Sequence, residues 1–168
     1  MKTYGSFESP LGRLIVVADG DALRGVHFVG QKYAPPIDHD WRENPECRPV
    51  RESIEQLAEY FAGVRRDFTL PLALDGTAFQ REVWKALLSV RYGETLSYSE
   101  LAERAGYPGC ARAAGAANGR NPIAIIVPCH RIIGADGSLT GYAGGLERKR
   151  ALLELESRKA QLGLALAT

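Results

Sequence analysis

Residues 97–118, SYSELAERAGYPGCARAAGAAN, decide the architecture of the second half of the chain. Ser97 is followed three residues later by Glu100, the pattern of a capping box that opens a helix. Leu101, Ala102 and Ala105 are its apolar positions, and Gly106-Tyr107-Pro108-Gly109 breaks it. Cys110 to Asn118 reads as a second short helix. Two short helices joined by a tight glycine-containing turn predict a helix-turn-helix. The second helix is unusual, because Ala111, Ala113, Ala114, Gly115, Ala116 and Ala117 are all small and Arg112 is its only charge. Such a helix fills little volume. Either it packs tightly against a neighbouring helix, or it brings its backbone into a narrow space such as a minor groove.

Working outward, Thr77 reads as an N-cap, and Phe79, Val83, Trp84, Leu87 and Leu88 form an apolar stripe ended by Gly93. The N-terminal part has a different texture. Tyr4 to Glu8, Leu11 to Ala18 and Ala22 to Phe28 read as strands, separated by Ser9-Pro10 and by the turn sequence Asp19-Gly20-Asp21. Residues 30–49 are polar and proline-rich, a long connection. Val50 to Phe61 carries Ile54, Leu57, Ala58 and Phe61 at helical spacing and stops at Gly63. Asp67 to Leu74 is a short β-like run interrupted by Pro71. The expected fold class is α+β, with an antiparallel sheet plus helix over 1–74 and a mainly helical domain over 75–168.

A chain of 168 residues is long enough for one medium domain or two small ones. No stretch approaches the roughly 18 uncharged apolar residues that span a bilayer. The first residues, Met-Lys-Thr-Tyr-Gly-Ser-Phe, have no apolar run of signal-peptide length. A soluble cytoplasmic protein with no membrane partner is expected. The three cysteines, Cys47, Cys110 and Cys129, are too few for a disulfide framework, and none sits at CxxC spacing. With His27, His39 and His130 scattered as well, no metal is expected. Residues 1–75 hold 9 Lys/Arg and 12 Asp/Glu, whereas 76–168 hold 12 and 8, so −3 is followed by +4. The basic half is compatible with a polyanion partner, and equally with ordinary surface variation.

The chemistry lies in residues 123–133, IAIIVPCHRII. A continuous apolar run delivers a thiol next to an imidazole and a guanidinium. Pro128 restricts its own φ and biases Val127 away from helix, so Cys129 sits in an extended or turned backbone. The thiolate is the nucleophilic form of cysteine; His130 can take the thiol proton and Arg131 can stabilise local negative charge. The competing reading is that Cys129 is a small buried hydrophobe and His130 a structural histidine.

Val-Pro-Cys-His-Arg-Ile-Ile resembles the active-site signature of the O6-alkylguanine-DNA alkyltransferases, also called methylated-DNA–protein-cysteine methyltransferases. Phe79 to Trp84, Tyr92 to Thr95, Ser97-Tyr98, Leu101-Ala102, Ala111 to Ala113, Asn121-Pro122 and Gly141 to Gly145 follow in that family's order. Residues 1–72 resemble its N-terminal domain more loosely, which implies a ribonuclease-H-like scaffold. The resemblance implies that Cys129 accepts the alkyl group, with His130 as its base through a water and Glu156 completing the relay. Tyr98 would donate to the leaving guanine, and Asn121 would tie the recognition helix to the active-site turn. Arg112 would fill the space left by the flipped base. Tyr142, Ala143 and Gly144 would line the pocket for that base. Ala111, Ala114, Gly115 and Ile132 complete the expected DNA or substrate surface. The implied partner is double-stranded DNA carrying O6-alkylguanine, with O4-alkylthymine a second candidate, bound through the minor groove by a monomer. No cofactor is implied.

One of these roles has independent support from helical geometry. With Leu146 at 0°, Leu152 falls at about 240°, Glu156 at about 280° and Leu153 at about 340°, while Glu147 and Glu154 fall at about 100° and 80°. Glu156 therefore projects from the apolar face, where an unpaired charge is expensive, unless the helix frays before it. Two departures from the family pattern stand out: Ala143 occupies a position that is serine in some relatives, and metal-binding residues of some N-terminal domains have no counterparts. Rival functions are a damage-binding module lacking transfer, which Cys129 opposes, and a transcriptional regulator, for which no effector domain is visible.

Overall fold

The computed structural model describes residues 1–167, with side chains described through residue 157. The chain divides into two compact units, Met1–Asp75 joined by Pro122–Ile126, and Gly76–Asn121 joined by the chain from Val127 onward. The expected second domain, 75–168, is thus interrupted by a segment that belongs with the first unit.

In the first unit, β1 (Lys2–Ser9), β2 (Gly12–Asp19) and β3 (Ala22–Phe28) form an antiparallel meander. The two-residue strand β4 (Arg42–Glu43) pairs in parallel with β1, inside the stretch expected to be plain connection, giving the order β3-β2-β1-β4. Central strand β2 buries five residues in succession, Leu14 to Ala18. Helix α1 (Arg48–Phe61) packs on the sheet through Val50, Leu57 and Tyr60. It begins two residues before the expected Val50 because Pro49 is favourable in a first helical turn. Gly5 permits the approach, since a Cβ there would lie 2.8 Å from Val50 Cγ1.

The β-like run at 67–74 shrinks to one bridge, Leu72 with Leu23. Pro71 has no N–H to extend the ladder, although its carbonyl accepts from Leu23 N at 2.8 Å. Farther along β3, Val26 N donates to Pro122 O and Ala124 N donates to Val26 O. These segments cover an edge that would otherwise expose unpaired backbone groups.

The second unit contains α2 (Ala78–Leu88), β5 (Leu96–Ser97), α3 (Tyr98–Arg104), α4 (Ala111–Gly119), β6 (Ile132–Ile133) and α5 (Leu146–Ala167). Both expected caps form as full capping boxes, Thr77 with Gln80 and Ser97 with Glu100. Helix α2 ends at Leu88, before Gly93, and Leu88 is 45% exposed rather than part of the buried stripe. Helices α3 and α4 pack on each other and on α2, making the helix-turn-helix. The small residues of α4 serve this packing: Ala114 and Ala117 are buried, and Ala117 O accepts from Trp84 Nε1 at 2.9 Å. Strands β5 and β6 pair in parallel, placing the start of α3 beside the residues that follow Cys129.

Candidate active site

Two tight turns deliver Cys129. Ile126 N donates to Ala124 O at 2.8 Å across Ile125, whose φ is +70°. That conformation is strained for a β-branched side chain, and it persists because Ile125 is packed to 1% exposure. Cys129 N then donates to Val127 O at 2.9 Å across Pro128, at φ −84° and ψ 64°, an inverse γ-turn. Cys129–Arg131 continues as one turn of 3-10 helix.

Helix α4 and the residues that follow it grip this turn. Asn118 Nδ2 donates to Cys129 O at 3.3 Å, and Asn121 Nδ2 donates to Val127 O at 2.7 Å. Cys129 is only 6% exposed. Burial pushes its thiol up to about 11, against opposing pulls from an Asn121 hydrogen bond and the charge of Lys149. At neutral pH the resting sulfur is therefore protonated, and its proton must leave as it reacts.

Glu156 reaches the same place from α5 and is 1% exposed. Its Oε2 lies 2.8 Å from His130 Nε2. It also accepts a bidentate pair from Arg131, Nε to Oε1 at 2.8 Å and Nη2 to Oε2 at 3.0 Å. Burial alone would raise the Glu156 carboxyl, but His130 and Arg131 outweigh it and hold it at about 2. A carboxylate facing Nε2 makes that nitrogen the protonated one. Nδ1 is then the acceptor, and it is buried with no hydrogen bond to the described residues. Arg131, expected to serve negative charge near the sulfur, instead pairs with Glu156, donates to Val90 O at 2.7 Å and lies over the Tyr92 ring.

Tyr98, the first residue of α3, donates its phenol proton to Thr140 O at 2.7 Å. Gly115 leaves room for its ring, since a Cβ there would sit 3.3 Å from Tyr98 Cδ1. The Tyr142 hydroxyl is buried without a hydrogen-bond partner among the described residues, and burial followed by the nearby Cys129 sulfur pushes its ionisation upward. Ala143 and Ala111 are half-buried, Gly144 is buried and Arg112 is exposed. Two expectations need correction. Ala114 and Ile132, placed at the DNA or substrate surface, have side chains that are 0% exposed, one in the helix packing and one in the β5–β6 pair.

The sequence reading missed Asn118 and Lys149. Lys149 is 0% exposed, with Nζ donating to Thr140 O at 3.0 Å and Gly141 O at 3.1 Å. The helical projection that selected Glu156 would also have selected Lys149, which falls at about 300° on the same face. Asn118 had no such signal beyond its place at the end of α4. Among the described residues, no group of three or more His, Cys, Asp or Glu could hold a metal ion. Among the described residues, no helix is long and apolar enough to cross a membrane.

The model of the family domain described as 6-O-methylguanine DNA methyltransferase, DNA binding domain, matches residues 78–158. The companion ribonuclease-like domain matches residues 2–74. The chain belongs to the methylated-DNA–protein-cysteine methyltransferase family. A relative of that name from Mycobacterium bovis is 51% identical over 163 residues, covering 97% of each chain. Another from Methanosarcina acetivorans is 50% identical over 153 residues, 91% of this chain and 97% of its own. The crystal structure of Mycobacterium tuberculosis O6-methylguanine methyltransferase superposes with a TM-score of 0.89 at 50% identity over 100% of both chains. The structure of Mycobacterium tuberculosis OGT in complex with DNA gives 0.87 at 49% identity over 94% of each. The α+β fold class follows, with a ribonuclease-like N-terminal domain and a helix-turn-helix DNA-binding domain.

Proposed function

We propose that this protein repairs DNA by direct reversal, transferring the alkyl group of a flipped-out O6-alkylguanine irreversibly to Cys129. The observation that carries the reading is the buried Cys129 thiol, adjacent to the His130–Glu156 pair and tied to the recognition helix through Asn118 and Asn121. The sulfur attacks the alkyl carbon in line. An S–C bond forms as the C–O6 bond breaks, and its electron pair passes to the guanine. The thiol proton moves through a water towards His130 Nδ1, and Glu156 stabilises the imidazolium that results. The anionic guanine takes a proton from Tyr98, which must exchange Thr140 O for the base. The Tyr142 hydroxyl, which has no partner among the described residues, can donate to that base.

The base must leave the stack, because the alkyl carbon cannot be reached inside a duplex. Exposed Arg112 fits the role of filling the gap, while Ala111 and Gly115 allow α4 to approach a minor groove. The thioether product has no route back to thiol, so each molecule acts once.

The test is to mix the protein with duplex DNA carrying O6-methylguanine and weigh the peptide containing Cys129. A gain of one methyl, at most one per protein, is expected. Restored guanine with an unmodified Cys129 would sink the mechanism.

A further inference from the structure

The first unit holds a cleft of about 520 Å³, lined wholly by its own residues. Strand alternation sets its floor. Gly5 and Phe7 face α1, Gly5 against Val50 and Phe7 against the Phe61 ring, so Tyr4 and Ser6 face the other way. Ser6 pairs with Ile15 and Ile15 with His27, which puts Ile15 and His27 on that same face. Val29 and residues 34–37, Ala-Pro-Pro-Ile, supply the apolar remainder, with Val29 and Ile37 half-exposed. His27 is the group in this cleft that needs a partner. It is 6% exposed, and among the described residues nothing bonds its ring. Gln31 Oε1 already accepts from Phe28 N at 2.8 Å, and Arg13 donates to Ser6 Oγ and pairs with Glu8. Burial lowers the ionisation of His27, so its ring is neutral and presents one N–H and one bare nitrogen. A buried polar group without a partner is costly, so such a cleft suits an apolar molecule that brings one polar group.

We infer that this cleft is a second binding site, for a neutral aromatic alcohol of about two or three fused rings, its hydroxyl on the His27 imidazole and its rings against Ile15, Pro35 and Pro36. A hydroxyl fits either tautomer of the imidazole, since it donates to the bare nitrogen or accepts from the N–H. Flat rings suit a lining made of a sheet face and two consecutive prolines. The size follows from the volume, because a cavity of about 150 Å³ takes one benzene. The lack of charge follows from the lining, where exposed Arg13 and exposed Glu43 oppose each other in sign. The site uses none of the groups around Cys129, so it stands apart from the alkyl-transfer reading.

The experiment titrates the full chain with 2-naphthol to about 3 mM and follows the His27 ring and the Val29, Ala34 and Ile37 methyls by NMR. Those signals should shift together, with a Kd of about 1 mM or tighter. His27→Phe keeps a ring of similar size but removes both hydrogen-bonding atoms, and should weaken binding roughly two- to tenfold. His27→Gln keeps a donor and an acceptor and should bind more tightly than the Phe variant. Ala34→Trp fills the cleft without touching His27 and should abolish the shifts, which keeps the test open if a His27 variant does not fold. No shift at these signals in the wild type would overturn the inference. So would a His27→Phe affinity equal to wild type, or undiminished binding in Ala34→Trp. Decahydro-2-naphthol, which has the hydroxyl but no flat rings, should bind more weakly; equal affinity would overturn the aromatic assignment.

Discussion

Replacing Glu156 with glutamine leaves the Arg131 guanidinium buried beside a neutral amide. The Glu156 carboxyl ionises at about 2 in the fold instead of 4.5. A depressed carboxyl stabilises the fold above its unfolded value, and that contribution is lost as pH falls from about 4.5 through about 2. The shift corresponds to about 3 kcal/mol. Glu156→Gln should therefore be about 3 kcal/mol less stable to urea at neutral pH and should lose this acid-dependent limb; wild-type stability in the variant would mean Arg131 has another partner. At Cys129 the expectation is different. Cys129→Ala should bind alkylated DNA and transfer nothing, read by peptide mass, and retained transfer would direct attention to Cys47 or Cys110. The residue scale also shows how far local reading reaches. Helical angle found Glu156, yet it could not show that Arg131 and not only His130 would occupy it. Lys149 lay on the same face, so the same angle pointed it inward, but a lysine ordinarily keeps its head in water and the angle could not show which groups would receive it.

Helix α4 has two faces with separate duties. Its inner face packs Ala114 and Ala117 against α2 and α3, and its end holds the Cys129 turn through Asn118, with Asn121 following. Asn121→Ala removes a buried donor from Val127 O and should cost about 1–3 kcal/mol in urea unfolding. It should also slow transfer, because the Cys129 thiol loses a hydrogen bond that favours its ionised form. A variant of normal stability and normal rate would show that the turn holds itself. The outer face carries Arg112. Arg112→Ala should impair repair of duplex DNA while changing reaction with free O6-benzylguanine much less; equal losses on both would count against a base-flipping role. Of the two alternatives open for the small-residue helix, packing falls on Ala114 and Ala117, and the proposed groove entry would fall to the outer face.

For the whole chain, charge and binding are linked. The second half carries the positive excess, +4 against −3, and the exposed Arg112 and Arg91 lie in it. The logarithm of DNA affinity should fall linearly with log salt, with a slope of about −0.9 per phosphate neutralised. Arg91→Ala should reduce that slope by about one if the side chain meets a phosphate; an unchanged slope would place it in solvent. The segment Pro122–Ile126 shows why chain order and spatial unit differ. It sits between two stretches of the second unit, yet its backbone bonds to Val26 of β3.

Local physics accounts for what was readable in the sequence alone. The N-cap at Thr77, the capping box at Ser97, turns at Asp19–Asp21 and Gly106–Gly109, and strand alternation each depend on a few neighbouring residues. They fixed the elements, the helix-turn-helix and the motif around Cys129. Tertiary structure decided the rest. It shortened 67–74 to one bridge, paired Arg42–Glu43 with β1, and moved Ala114 and Ile132 into the interior. It also chose the partners of buried charge, giving Glu156 to His130 and Arg131 and leaving Lys149 for the carbonyls of Thr140 and Gly141. Such choices depend on which helical face lands over which loop. That is settled by packing between residues distant in sequence, where the low dielectric makes every unpaired charge costly.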